Sequence, residues 1–174
     1  FMKTNYLEPT YRSLMVQSVE ESSHHVESYS KQDIQEDLAD YMAVSHYDYA
    51  LYAIIRKHEK SYPLLYRGSR FKNELLVEGA IVQFGTDMIS TSLDIEIACK
   101  FAADTHLPES IYEECAEFGI VDENDDDFEE KVNALYGNIL FEIHNAKGLY
   151  LNEFFDVPNN LTKEQEVLIE NRED

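Results

Sequence analysis

The chain has 174 residues, 44% of them hydrophobic, which suits one compact domain with its own core and gives no reason to expect a second. Lys and Arg number 14 against 35 Asp and Glu, so a net charge of −21 disfavours a direct grip on nucleic-acid phosphates and favours basic partners. Cys99 and Cys115 are too few for a disulfide framework and belong to no metal-ligand pattern; with no apolar stretch of membrane-spanning length and no signal-peptide core, a soluble protein acting in the cytoplasm is expected, Phe1 preceding its natural start at Met2.

Residues 8–60 read as helical. Leu38, Tyr41, Met42, Ser45, Tyr49, Tyr52 and Ile55 recur at three- and four-residue steps, and neither Pro nor Gly interrupts between Thr10 and Tyr62. The pattern predicts two or more amphipathic helices, broken near Tyr29-Ser30-Lys31 with Ser30 or Asp33 as a cap. His24 and His25 sit among polar neighbours and read as solvated surface, since adjacent histidines cannot both face one helical site.

Pro63 is expected to end this helical half, and a β-rich part to run from about 63 to 170. Leu64-Leu65-Tyr66-Arg67 reads as a short strand closed by Gly68, Ala80-Ile81-Val82-Gln83-Phe84 as a second, and Met88-Ile89-Ser90-Thr91-Ser92 as a third. Asp94 is placed to cap a helix whose apolar stripe is Ile97, Ala98, Phe101 and Ala102. Further strands are expected at 138–144, 148–151 and 166–169. Residues 107–136 look like an acidic insertion; the run of acids at 122–130 lacks the alternating order, central Gly and terminal Glu of a calcium loop, so it reads as self-repelling solvated chain, and no metal site is expected.

Three stretches carry chemistry. Arg67 offers a planar cationic fork suited to phosphate, beside a Gly68 backbone that a ligand can approach. Ser90-Thr91-Ser92 supplies hydroxyls that can orient a carboxylate without adding charge. Glu164 and Glu166, separated by one residue at the mouth of an apolar run, are expected on one face of an extended chain, where they can share a substrate. Singly each is weak: a lone Glu-x-Glu is more often a solvated start to a strand.

In this order, each on an expected strand, they resemble the Arg-Ser-Glu class of mono-ADP-ribosyltransferases, which includes binary-toxin-like and phage-encoded enzymes. The likeness spans roughly residues 46–169 and lies in Leu65-Tyr66-Arg67-Gly68, Ile89-Ser90-Thr91-Ser92-Leu93-Asp94 followed by Ala98-Cys99-Lys100-Phe101-Ala102, and Lys163-Glu164-Gln165-Glu166-Val167-Leu168-Ile169. It implies an α+β fold of two packed β-sheets around an NAD cleft with N-terminal helices. It also implies NAD as co-substrate, Glu166 as the residue that stabilises charge on the ribose, Ser90 as its orienter, and Glu164 as base for an arginine acceptor. Arg67, Gly68, Arg70, Thr91, Ser92 and Phe101 would then hold NAD. The chain departs from the family in two places. It stops at Asp174, where relatives continue into another strand, and Asp104 stands near where a second phosphate-binding base often follows, so phosphate would lean on Arg67 with Arg70 or Lys100. The implied product is a modified arginine on a basic, nucleic-acid-associated protein. Two alternatives stay open: an NAD glycohydrolase, in which water is the acceptor, and a non-enzymatic acidic mimic of nucleic acid.

Overall fold

The structure, a computed structural model, describes residues 9–44, 48–82, 84, 88–104, 116–117, 128–155 and 162–171. Its elements in chain order are α1 (Pro9–Val26), α2 (Lys31–Val44), α3 (Tyr49–His58), β1 (Lys60–Lys72), β2 (Met88–Ser92), α4 (Ile95–Asp104), α5 (Phe128–Leu135), β3 (Tyr136–Tyr150) and β4 (Glu166–Glu170). The fold is mixed α+β, and no described helix is long and apolar enough to cross a membrane.

The break between α1 and α2 falls at the expected place. Ser30 and Asp33 form a reciprocal cap: the Ser30 amide donates to Asp33 Oδ2 at 2.7 Å, and the Asp33 amide donates to Ser30 Oγ at 3.2 Å. Asp48 caps α3 by accepting from the Leu51 amide at 2.8 Å. The three helices bury Val19 and Val26, Ile34, Leu38 and Tyr41, and Leu51, Ile54 and Ile55 against Met88, Leu149 and Leu168 of the sheet and Leu151 of the turn after β3. The helical part is thus fastened to one face of the β-rich part by the main core.

The strands close into one antiparallel circuit, β1-β2-β4-β3, among the described residues. Two separate packed sheets had been expected; instead each pair in the circuit is hydrogen-bonded to the next. Two other boundaries differ. β1 runs straight through Pro63 and Gly68, which were expected to mark its ends. It pairs with β3 from Lys60↔Gly148 to Lys72↔Tyr136, skipping Pro63, which has no amide to give the ladder. In β3 the corresponding irregularity is Asn145, at φ 55°, within a strand expected to be two. Gly68 stays in register opposite Leu140 because helix α4 lies directly on it: a Cβ there would run into the Ala98 carbonyl and stand 2.5 Å from the Ala102 amide nitrogen.

No strand forms at 80–82. Gly79, at φ 81°, turns the chain there and leaves Ile81 90% exposed, so the apolar run has no surface to pack on. The end of the acidic stretch is also more ordered than expected: residues 128–135 form α5, and Phe128, Val132 and Tyr136 make a small core of their own. Residues 122–127, Gln83 and Cys115 lie outside the described residues, while Cys99 is an exposed free thiol.

Candidate active site

Side-chain alternation on β2 and β4 builds the site. Antiparallel pairing sets Ser92 opposite Glu166, Ser90 opposite Leu168 and Met88 opposite Glu170, so these six side chains share the face that meets the helices. Along β4 that face is divided. Leu168 enters the main core, Glu170 forms a hydrogen-bonded ion pair with Arg56 of α3, and Glu166 receives the Tyr41 hydroxyl from α2 at 2.8 Å. The helices therefore grip both ends of the strand through carboxylates and its middle through apolar packing.

Glu166 is 7% exposed. Burial pushes its carboxyl above the usual carboxylate range, against the opposing pull of hydrogen bonds from Ser90 and Tyr41 and of the Arg67 cation. Ser90, diagonal to Glu166 across the ladder, is thus within hydrogen-bonding reach of it. Arg67 reaches across from β1, donating through Nη1 to the Ser90 carbonyl at 2.6 Å, and its guanidinium lies over the Phe84 ring, 5.0 Å from the centroid. Phe84 is itself held edge-to-face by Phe71 and Phe141. These rings form an apolar bed under the cation.

Glu164 does not share an extended face with Glu166, contrary to the period-two expectation. It lies in a 3-10 turn at Thr162–Glu164, and Gln165 takes φ 46°, a left-handed conformation uncommon for a residue with a side chain. The twist leaves Glu164 exposed while Glu166 enters the sheet. Glu164 is nonetheless raised above the usual carboxylate range, first by partial burial and then by repulsion from Glu166. Ser92 fixes this turn: its hydroxyl donates to the Glu164 carbonyl at 2.7 Å and accepts from the Asp94 amide at 3.0 Å. Asp94 in turn caps α4 through the Glu96 amide at 2.8 Å.

One cavity of about 200 Å³ gathers these groups, lined by Arg67, Gly68, Ser90, Thr91, Ser92, Phe101, Glu164 and Glu166 together with Tyr66, Ser69 and Ala98. Complete small-molecule sites run to roughly 300–1,000 Å³, so the cavity lined by the described residues is smaller than such a site. All of the expected site residues except the two alternative phosphate partners of Arg67 meet in it: Lys100 lies outside the lining, as does Arg70, which donates to Asn138 at 3.0 Å. Thr91 and Ser92 touch the cavity, but their hydroxyls bond the chain itself, Thr91 to the Val167 carbonyl at 2.7 Å; their part is to hold the walls. Phe101 is 44% exposed at the rim rather than packed in the apolar stripe of α4, where Ala98 and Ala102 alone are buried.

Sequence patterns passed over Tyr41 as a site residue. It lies on the buried stripe of α2 and reads as one more core aromatic; its hydroxyl finds Glu166 across 125 residues of chain, a distance no local spacing can bridge. Phe84 was placed in a strand and given no role.

The cavity thus brings together the Arg67 cation, the exposed Phe101 ring and the buried Glu166 carboxylate. Comparison with known protein families, with curated proteins and with solved structures gives no match to this chain.

Proposed function

We propose that this protein is a mono-ADP-ribosyltransferase that moves ADP-ribose from NAD to an arginine of a basic, nucleic-acid-associated protein. The observation that carries this function is the burial of Glu166, a carboxylate held by two hydroxyls in the same cavity as Arg67 and with Glu164 at its mouth. NAD supplies the glycosidic bond between nicotinamide and ribose, whose cleavage develops positive charge on the sugar. A fixed negative charge in a low-dielectric setting stabilises such charge far better than one in water, and it does so without reorganising. Glu166 meets that requirement. Arg67 holds phosphate, Gly68 lets α4 lie close on β1, and Phe101 on that helix offers a stacking face.

Glu164 takes the second task. An arginine acceptor is protonated at physiological pH and attacks only once a proton leaves, so a base must stand where solvent and target can both reach it. The exposed turn provides that place, and the raised carboxyl of Glu164 makes it a better base than an ordinary glutamate. Water as acceptor would leave Glu164 without work.

The net charge of −21 supports the target class, because long-range attraction brings such a molecule to basic surfaces. Arginines on such surfaces commonly grip phosphate, and a bulky group bearing two negative charges would disable that grip. The test is incubation of the full chain with phosphate-labelled NAD and a mixture of basic nucleic-acid-binding proteins, at low and high salt. Label on arginine, lost progressively as salt rises, supports the proposal. Free ADP-ribose without protein label points to a glycohydrolase, and neither product leaves the acidic mimic.

A further inference from the structure

A carboxylate that offsets developing positive charge must be ionised at neutral pH, and burial opposes that. The described groups facing Glu166 are Tyr41 from α2, Ser90 from β2, Arg67 from β1 and Glu164 from the preceding turn. Ser90, Tyr41 and Arg67 favour its charged form, while Glu164, when ionised, repels it. Of the two hydroxyl donors, Ser90 is local to the sheet. Tyr41 comes from the helical half.

Building on the proposed role of Glu166, we propose that Tyr41 is a positioning residue of the active site: its hydroxyl, 2.8 Å from Glu166 Oε1, sets the direction of the carboxylate, so that α2 belongs to the catalytic apparatus and not only to its support. Three observations carry this. The hydrogen bond is buried, and a hydroxyl bonded to an ionised oxygen away from water counts for roughly twice a neutral bond. The ring is locked: Tyr41 is 7% exposed, and Ile34 and Leu38 sink the same stripe of α2 into the core. The helix is latched as well, since Gln35 donates to the Phe154 carbonyl just after β3. A buried tyrosine ordinarily finds some acceptor for its hydroxyl, often a backbone carbonyl. Here the acceptor is the one buried carboxylate lining the cavity among the described residues.

A purely structural tyrosine and a positioning one differ in what they move. Tyr41→Phe keeps the ring and its packing while removing the donor. With the core intact, the variant should melt within a few degrees of the parent protein, and KM for NAD should change by no more than about twofold, because Tyr41 itself lies outside the cavity lining. The kcat at neutral pH should fall roughly tenfold, the size expected when a buried charge loses one hydrogen bond. The acid limb of the kcat profile should move about one pH unit to the alkaline side.

The same shift should be visible without turnover. Carbon-13 titration of the Glu166 carboxyl, identified by its disappearance in Glu166→Gln, should show a midpoint higher in Tyr41→Phe than in the parent. Should the Phe variant fail to fold, 3-fluorotyrosine placed at position 41 gives the opposite change: a more acidic phenol is a stronger donor, and the midpoint should move down. An unchanged midpoint in either variant overturns the role of Tyr41. A parent protein that neither transfers nor hydrolyses NAD overturns the proposed function instead, and the carboxyl titration still reports the coupling of Tyr41 to Glu166.

Discussion

The Arg67 side chain is tied to Ser90 through the main chain: Nη1 donates to the Ser90 carbonyl at 2.6 Å, so one serine holds the Glu166 carboxylate with its hydroxyl and the cation with its backbone. A small displacement of β2 would therefore move both charges together. The Phe84 ring, its centroid 5.0 Å from the guanidinium carbon, gives the fork a second point of contact.

Arg67→Lys tests that geometry. A lysine ammonium is a compact point charge and cannot keep the Ser90 carbonyl, stay over the Phe84 ring and present a second donor edge to phosphate at once. NAD affinity should drop roughly tenfold or more, with kcat at saturating NAD reduced less, because phosphate contacts exist before the transition state as well as in it. Calorimetric titration with NAD checks it; a lysine variant that binds as tightly as the parent would remove the fork from the argument.

Glu166→Gln should have two opposite effects. Turnover should fall by roughly a hundredfold or more with little change in NAD affinity, as when a charge acting only on the transition state is removed. Stability should rise. The native carboxyl holds its proton to higher pH than the unfolded chain does, so folding takes up protons between the ordinary carboxylate range and the raised native value, and stability falls as pH climbs through that window. Above it the buried charge weighs against the fold, and the neutral amide does not. Thermal melts should show the variant more stable at neutral pH and the difference shrinking toward acid. A variant less stable than the parent at neutral pH would mean that the hydrogen bonds outweigh the burial.

Glu164→Gln separates the pair. If Glu164 serves only the acceptor, transfer to arginine should be lost while slow hydrolysis of NAD continues, because breaking the ribose bond needs no base at the nucleophile. Assaying labelled protein and released nicotinamide in the same tube decides it. Equal loss of both products would contradict the division of labour.

Gly68→Ala probes the wall between β1 and α4. The added methyl would enter the backbone of Ala98, which cannot turn aside as a side chain can, so the helix has to retreat and take the Phe101 rim with it. A loss of at least about 2 kcal/mol of stability is expected from overpacking of this kind, together with weaker NAD binding. Denaturant unfolding of a variant with parental stability would show that α4 is free to slide.

Much of this site was legible because strands enforce alternation. Once Met88–Ser92 reads as a strand, Ser90 and Ser92 must share a face, and pairing with β4 brings Glu166 to them. What escaped notice were positions where a residue's usual habit was overridden. Pro63 and Gly68 normally end strands, but here one falls at a skipped rung of the ladder and the other is required by the close approach of α4. The apolar run at 80–82 has strand composition and no strand beside it. Glu164 and Glu166 would share one face of an extended chain, and the single φ of Gln165 undoes that. Tyr41 shows a different limit: composition places it in the core, correctly, while the chemistry at the tip of its ring depends on which atom the fold sets opposite.

The left-handed turn at Gln165 has a consequence for how the two carboxylates answer to their surroundings. Two residues apart, they sit in different media: Glu164 in contact with bulk electrolyte, Glu166 behind protein. Mobile ions screen exposed charges over about 10 Å at 0.1 M and reach buried ones far less. Ionic strength thus becomes a selective reagent for this molecule, able to weaken the long-range pull of Glu164 at the turn while leaving the field around Glu166 nearly as it was.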